Sequence, residues 1–241
     1  MTQKPWFDFD IRNDPVFEQV IKPFIENQMT EMAAYDRQRL AKNPDIKYIF
    51  HEHAERVADD VRKTAAVLGQ PEHVQEAMYW AMLAHDIGKK TLPIDIWDSE
   101  EKPAGDVKSF RRSHTERGLK IAEDILGDQN HPFVDLLKDI IANHHEHLDG
   151  SGHHGLNADQ ISTPVRLCAI VESYDGYTIP RPHFGNRDIS PAAVLEKMRT
   201  EPDKGAKMFD MELFEAFAKM KLASPPAALK PSTKTTPEIK G

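Results

Sequence analysis

Five segments of this 241-residue chain repeat apolar residues at the three- and four-residue spacing of an α-helix, and each carries a histidine or carboxylate on that apolar face. From His53 the stripe runs through Val57, Val61, Ala65 and Leu68. A second runs from Val74 through Met78, Ala81 and Met82 to His85 and its neighbour Asp86, with Gly88 expected as the helix stop. Ser113 and Glu116 have the spacing of a capping box, which predicts a helix with an inner face of His114, Gly118, Ile121 and Ile125. Phe133, Leu137, Ile140 and Ile141 lead to the doublet His144-His145. Val165, Cys168 and Ala169 lead to Glu172 and, three residues on, Asp175. No stretch alternates convincingly as a strand. The expected fold is all-α, a helical bundle that aims these polar groups at one interior.

A single buried histidine is more often a hydrogen-bonded core residue than a ligand. Five helices delivering such groups together are another matter. Several imidazoles and carboxylates buried without a cation would stay poorly paired, at about 1–3 kcal/mol or more for each group. Imidazole and carboxylate donors suit borderline divalent metals, and an Asp beside a His can bridge two ions while the His binds one. The pattern therefore predicts a metal-dependent hydrolase. His51, His73, His131, His147 and His183 lie outside that pattern and are expected to be solvated or locally hydrogen bonded.

The formal charge of −8 argues against a nucleic-acid surface or an anionic membrane as partner, while leaving room for a locally positive pocket and a small substrate. One cysteine, Cys168, excludes a disulfide framework and a thiolate zinc site. The opening residues lack a basic region followed by an apolar one, and no apolar run approaches the roughly 18 residues of a membrane span, so a cytoplasmic location is expected.

Three regions are expected: an N-terminal helical extension over 1–45, the ligand-bearing domain over 46–222, and a flexible Pro-, Thr- and Lys-rich tail over 223–241. Within the extension, Val16, Phe17, Val20, Ile21, Phe24, Ile25, Met29 and Met32 mark an amphipathic helix bent or started near Pro23, which packs on the core or on another copy of the chain. Residues 91–112, with Pro93, Pro103 and Gly105, read as a loop positioned to cover the site, a plain connection in preference to a lid. Two short helices follow Pro191, around Val194, Leu195 and Met198 and around Leu213, Phe214, Phe217 and Met220.

In this order the motifs resemble the HD-GYP branch of the HD-domain phosphohydrolases, from about His53 to Phe217. His53 with Arg56-Val57 resembles the first ligand motif, HDIGK at 85–89 is intact, and His114 with Gly118 resembles the third. HHEHLDGSGHHGL at 144–156 resembles the signature segment, VESYDGYTIPRPH at 171–183 the segment of the last carboxylate, and FDMELFEAF from Phe209 the closing helix. The resemblance implies that His53, His85, Asp86, His114, His144, His145 and Glu172 bind metal, with Asp86 bridging and Asp175 supporting the helix end. It also implies that Lys89 neutralises the substrate phosphate, that Arg181 holds a phosphate oxygen, and that Asp149, Gly150 and Gly152 face the nucleotide.

Two departures stand out. The Tyr and Pro that name the family are replaced here by His153 and His154, and the place of a further Glu ligand one turn before the first His is held by Ile49. Two divalent ions, iron or manganese, are expected as cofactors. The resemblance points to cyclic di-GMP as substrate, opened to pGpG and onward to GMP by a hydroxide held between the metals, with Asp86 and Lys89 as catalytic residues. Alternatives are a phosphohydrolase acting on a mononucleotide or another phosphate ester, a catalytically silent module that binds a nucleotide or a partner, and oxidative di-iron chemistry. A homodimer through the N-terminal helix, or docking on signalling proteins, would supply regulation.

Overall fold

The structure, a computed structural model, describes residues 4–98, 104–180, 186–201 and 204–223. Arg181, and the tail from residue 224 onward, lie outside the described residues. The architecture is all-α, as the periodicity predicts. The helices are α1 Lys22–Lys42, α2 Phe50–Val67, α3 Glu72–Leu83, α4 Gly105–Arg112, α5 His114–Leu126, α6 Pro132–Asn143, α7 Thr163–Thr178, α8 Pro191–Thr200 and α9 Met211–Ala223. Among the described residues the only strand-like pairing is an isolated bridge between Asp149 and Asn157, and no helix is long and apolar enough to cross a membrane.

Helix α1 begins where Pro23 can no longer donate a backbone N–H, and a wider π-helical turn, Phe17–Ile21, leads into it. Phe17, Ile21, Phe24 and Ile25 enter the same core as α2, α3, α6, α7 and α9. At the far end of α1 a second, smaller cluster forms from Met32, Tyr35 and Phe50. There the buried Arg39 guanidinium bonds Asp36 at 2.6 Å and Asp98 at 2.5 Å and lies 3.7 Å from the centre of the Phe50 ring. This network ties α1 to the segment between α3 and α4.

Four local expectations are corrected. Gly88 does not end α3 in the left-handed conformation: its φ is −70°, and the helix stops at Leu83. What Gly88 supplies is closeness, because a Cβ there would lie 1.9 Å from the His114 carbonyl oxygen and 2.6 Å from Gly118 N. Ser113 forms no capping box, since α4 runs almost directly into α5 and the chain enters that helix already helical. Ser113 N donates to Ser109 O, and its hydroxyl donates to Phe110 O. Residues 91–112 are accordingly not a plain loop; α4 occupies their last third. On α5, Ile125 is 56% exposed, and the buried stripe passes through His114, Gly118, Ala122 and Leu126 instead. With glycine at 118 and alanine at 122, the face that meets the His85-Asp86 turn can approach backbone to backbone.

Candidate metal centre

Each candidate ligand sits on a helix or within a few residues of its end, where its local sequence places it. His53 is one turn into α2, which begins at Phe50 after the extended Ile49. His85 and Asp86 occupy the tight turn after α3, His114 opens α5, the doublet His144-His145 follows α6, and Glu172 and Asp175 lie on the inner face of α7. His53, His85, Asp86, His114, His144, Glu172 and Asp175 are all buried, and Asp86 lies among them.

The second nitrogen of most of these imidazoles is already fixed. The Nδ1 of His85 lies 2.7 Å from Met82 O, that of His114 2.7 Å from Arg111 O, and that of His144 3.0 Å from Ile140 O. A carbonyl can only accept, so each Nδ1 carries a proton and donates it, which turns Nε2 inward as the atom a metal would take. His53 differs only in its partner: its Nδ1 is 2.6 Å from Asp175, whose carboxylate is also gripped by Arg56 at 3.0 and 3.1 Å.

The inward atoms form two groups that share Asp86. One is His53, His85, Asp86 and Glu172; the other is Asp86, His114, His144 and His145, and within each group one donor atom per residue lies within 4.8 Å of the others. Asp86 Oδ2 faces His85 Nε2 at 3.2 Å and His53 Nε2 at 3.5 Å, while Oδ1 faces His114 Nε2 at 3.2 Å and His144 Nε2 at 3.6 Å. Glu172 Oε2 approaches His53 Nε2 at 2.8 Å and His85 Nε2 at 3.4 Å. Despite these distances, His53 Nε2, His85 Nε2, Asp86 Oδ1 and Glu172 Oε2 make no hydrogen bond of acceptable geometry. Buried polar atoms without partners are costly, and donors of this type around one point fit divalent cations. The residues present therefore suit the metal that the sequence pattern calls for.

The titration pattern agrees. Burial alone would depress His85, but Asp86 and then Glu172 carry its pKa up to about 10. At His53 burial is likewise outweighed, by Glu172 and Asp175, and the pKa rises. The carboxylates of Asp86 and Glu172 are held well below their usual range, against burial, by His85 and Lys89 for the first and by His53 for the second. Burial takes His144 down to about 4, and burial with neighbouring imidazoles takes His145 well below its ordinary value. The carboxylates that raise His53 and His85 supply the electrostatic setting that a cation would share.

Above this centre lies an open cavity of about 280 Å³, walled by Tyr48, Phe50 and Trp97 and reaching His114, His145 and Glu172 at its base. Lys89 is buried there, bonded to Asp86 and 3.2 Å from the Tyr48 hydroxyl. Glu172 faces the shared donors while Asp175 stands behind His53, so the two carboxylates occupy different shells. Asp149, Gly150 and Gly152 shape a turn rather than line the cavity. Asp149 accepts from Ser151, Gly150 has φ +75°, and a Cβ on Gly152 would meet Glu146 at 2.6 Å.

Periodicity did not single out Glu146, His153, Tyr48 or Trp97. Glu146, buried, accepts from His154 N at 2.6 Å and Leu156 N at 2.8 Å and so sets the turn. That turn places the His153 ring 4.4 Å from His145 and 6.0 Å from His114, centre to centre, against the cavity. The string HHEHLDGSGHH held the signal for both residues, since an acidic group beside two candidate ligands and a glycine turn returning to them imply a local fold-back. Tyr48 and Trp97 carry no such signal, because tertiary packing around Phe50 of α2 and Met32 and Tyr35 of α1 brings them to the site.

A family model described as HD domain matches residues 28–212. The chain is 28% identical over 200 residues to a 3'3'-cGAMP-specific phosphodiesterase of Vibrio cholerae, covering 82% of this chain and 44% of that protein. It is 28% identical over 182 residues to a cyclic di-GMP phosphodiesterase of Pseudomonas aeruginosa, covering 75% and 41%. The chain thus spans less than half the length of these relatives. Among solved structures it superimposes on an HDG"Y"P protein from Bdellovibrio bacteriovorus with a TM-score of 0.58 at 14% identity, covering 85% of this chain and 66% of that one, a likeness of fold.

Proposed function

Because this chain belongs to the HD domain family, we propose that it is a metal-dependent phosphodiesterase that opens a cyclic dinucleotide, cyclic di-GMP first among them, to the linear pGpG. The observation that carries this reading is the pair of donor groups sharing Asp86, with unsatisfied buried atoms facing the shared centre. Two such groups argue for two ions, and their imidazole-carboxylate shells suit iron or manganese. The names of the relatives support a cyclic dinucleotide as substrate.

His53, His85 and Glu172 would hold one ion, His114, His144 and His145 the other, with Asp86 between them. Such ions supply Lewis acidity and make water a nucleophile near neutral pH. Carbonyl-fixed Nδ1 protons keep the imidazoles of His85, His114 and His144 in the ligating tautomer, and Asp175 does the same for His53. Lys89, with Tyr48 beside its ammonium, brings positive charge to the phosphoryl oxygens as charge gathers on them. The walls of Phe50 and Trp97 exclude water and offer a flat apolar face to a base. Arg181 is proposed as a further phosphate ligand, and the Asp149-Gly150-Gly152 turn as the backbone that brings His153 to the nucleotide.

The test is product identification by mass spectrometry after incubating manganese- or iron-loaded protein with cyclic di-GMP, 3'3'-cGAMP, pGpG and a mononucleotide ester. Linear dinucleotide from a cyclic substrate is expected. Turnover of the mononucleotide ester alone moves the reading to a general phosphohydrolase, and no turnover of any of them refutes the enzyme.

A further inference from the structure

The geometry points to a second anion subsite on the cavity rim, made by Lys108, Arg111 and Arg112, that takes the non-reacting phosphodiester of a cyclic dinucleotide. The inference rests on the phosphodiesterase reading above and adds to it where the second phosphate of the substrate goes.

The chain carries a net charge of −8, yet its cavity is lined by four cationic side chains, Lys89, Lys108, Arg111 and Arg112, against one carboxylate, Glu172. Two of these five are committed to the metal centre itself: Lys89 bonds Asp86, and Glu172 faces His53 and His85. The other three come from a single turn of α4. Among the described residues no carboxylate pairs with Lys108 or Arg112. Lys108 is exposed and Arg112 half-buried, so charge can meet a ligand there without prior neutralisation.

Position strengthens the case. Helix α4 ends at Arg112 and α5 starts at His114, so the cations and the ligand histidine ride on one continuous stretch. The His114 Nδ1 proton is donated to the carbonyl of Arg111 itself. The Trp97 ring is within reach of both cationic zones, its centre 5.6 Å from the Arg111 guanidinium carbon and 6.0 Å from the Lys89 ammonium, with the His114 ring 6.3 Å away. The buried Lys89, the flat face of Trp97 and the more exposed α4 cations thus offer an inner anion site, an apolar surface and an outer anion site within one cavity. A cyclic dinucleotide has that order of parts: one phosphodiester at the reacting centre, a base, and a second phosphodiester. A mononucleotide or a simple phosphate diester fills only the inner portion. Arginine also binds phosphate oxygens in a fork that fixes orientation, so the rim would set the register of the ring as well as adding affinity.

The experiment compares steady-state kinetics of the manganese-loaded full chain with those of Arg112→Ala and Lys108→Ala/Arg112→Ala on two substrates, cyclic di-GMP and bis(p-nitrophenyl) phosphate. Arg112→Lys serves as the charge-retaining control. The expected result is a KM for cyclic di-GMP raised about tenfold or more in the double variant, with kcat changed far less. The loss of kcat/KM on cyclic di-GMP should exceed that on bis(p-nitrophenyl) phosphate by about tenfold, and Arg112→Lys should recover most of it. Parent KM for the cyclic substrate should also rise with salt more steeply than that of the double variant. Equal losses on both substrates, or unchanged KM for cyclic di-GMP in both variants, overturn the subsite while leaving the phosphodiesterase intact. A parent that turns over bis(p-nitrophenyl) phosphate but no cyclic dinucleotide overturns the substrate reading and the subsite with it.

Discussion

Gly88 and His114 meet backbone to backbone: a Cβ on Gly88 would stand 1.9 Å from the carbonyl oxygen of His114. The two residues come from segments that carry different candidate ligands, so this contact sets the distance between Asp86 and the imidazole of His114.

Gly88→Ala is therefore expected to force the His85-Asp86 turn away from α5. The cost should reach or exceed the roughly 1–3 kcal/mol of an overpacked core, and bound metal should fall with it. Gly176→Ala is the control, because its Cβ would meet nothing within 4 Å and it lies within α7. That variant should be neutral or stabilised by about 0.5–1 kcal/mol. Thermal melts and metal content of the two variants check this.

Asp175→Asn tests the outer support of His53. The substitution weakens the hold on the His53 Nδ1 proton and the pairing with Arg56, without touching an inward-facing donor. Metal affinity should drop by about 10–100-fold with the fold retained. Competition with a chelator, read beside circular dichroism, measures it. Unchanged affinity would show that His53 needs no such support.

Metal binding should release protons, with a definite pH dependence. His85 has its pKa raised from 6.5 to about 10, so it is protonated in the metal-free protein at neutral pH. The stability it contributes is present below about pH 6.5 and is lost as pH rises toward 10. A cation must displace that proton, so affinity for manganese should increase from pH 6.5 upward, and calorimetric enthalpies at pH 7.5 should vary with the ionisation enthalpy of the buffer. His144 behaves oppositely. With its pKa lowered to about 4 it is already neutral, and it destabilises the metal-free fold as pH falls from 6.5 toward 4. Buffer-independent enthalpies would contradict the proposed exchange of proton for metal.

Glu146→Ala should loosen the turn that carries His153 while sparing the metals. Its carboxylate accepts two backbone N–H groups, and removing it leaves the amides of His154 and Leu156 unsatisfied, at about 1–3 kcal/mol each where they are buried. Hydrogen exchange across residues 150–156 should accelerate, KM should rise, and metal content should stay at the parent level.

The extent to which the site is legible in the sequence follows from the range of each interaction. His53, His85, His114, His144 and Glu172 could be read because each continues an apolar helical stripe, and burial of the stripe carries the polar group inward with it. The division of labour between Glu172 and Asp175 depends on which side of His53 each meets, which requires α2 and α7 to be packed. Helix α4 escaped because Val107 and Phe110 face outward and leave no stripe to read. The Ser113 box has the right residues at the right spacing, but capping needs an extended entry, and α4 delivers the chain already helical. Gly88 looked like a terminator because glycines near helix ends usually are. Its actual constraint, the backbone of another helix, is non-local.

Metal content of the purified chain, measured by inductively coupled plasma mass spectrometry after loading with iron or manganese and removal of free ion, tests the central claim most directly. The prediction is about two ions per chain in the parent, and a loss of most of that metal in Asp86→Asn, whose side chain can no longer offer a carboxylate oxygen to both donor groups. A parent that retains no ion under metal-replete conditions, or an Asp86→Asn variant that retains as much as the parent, would contradict the account.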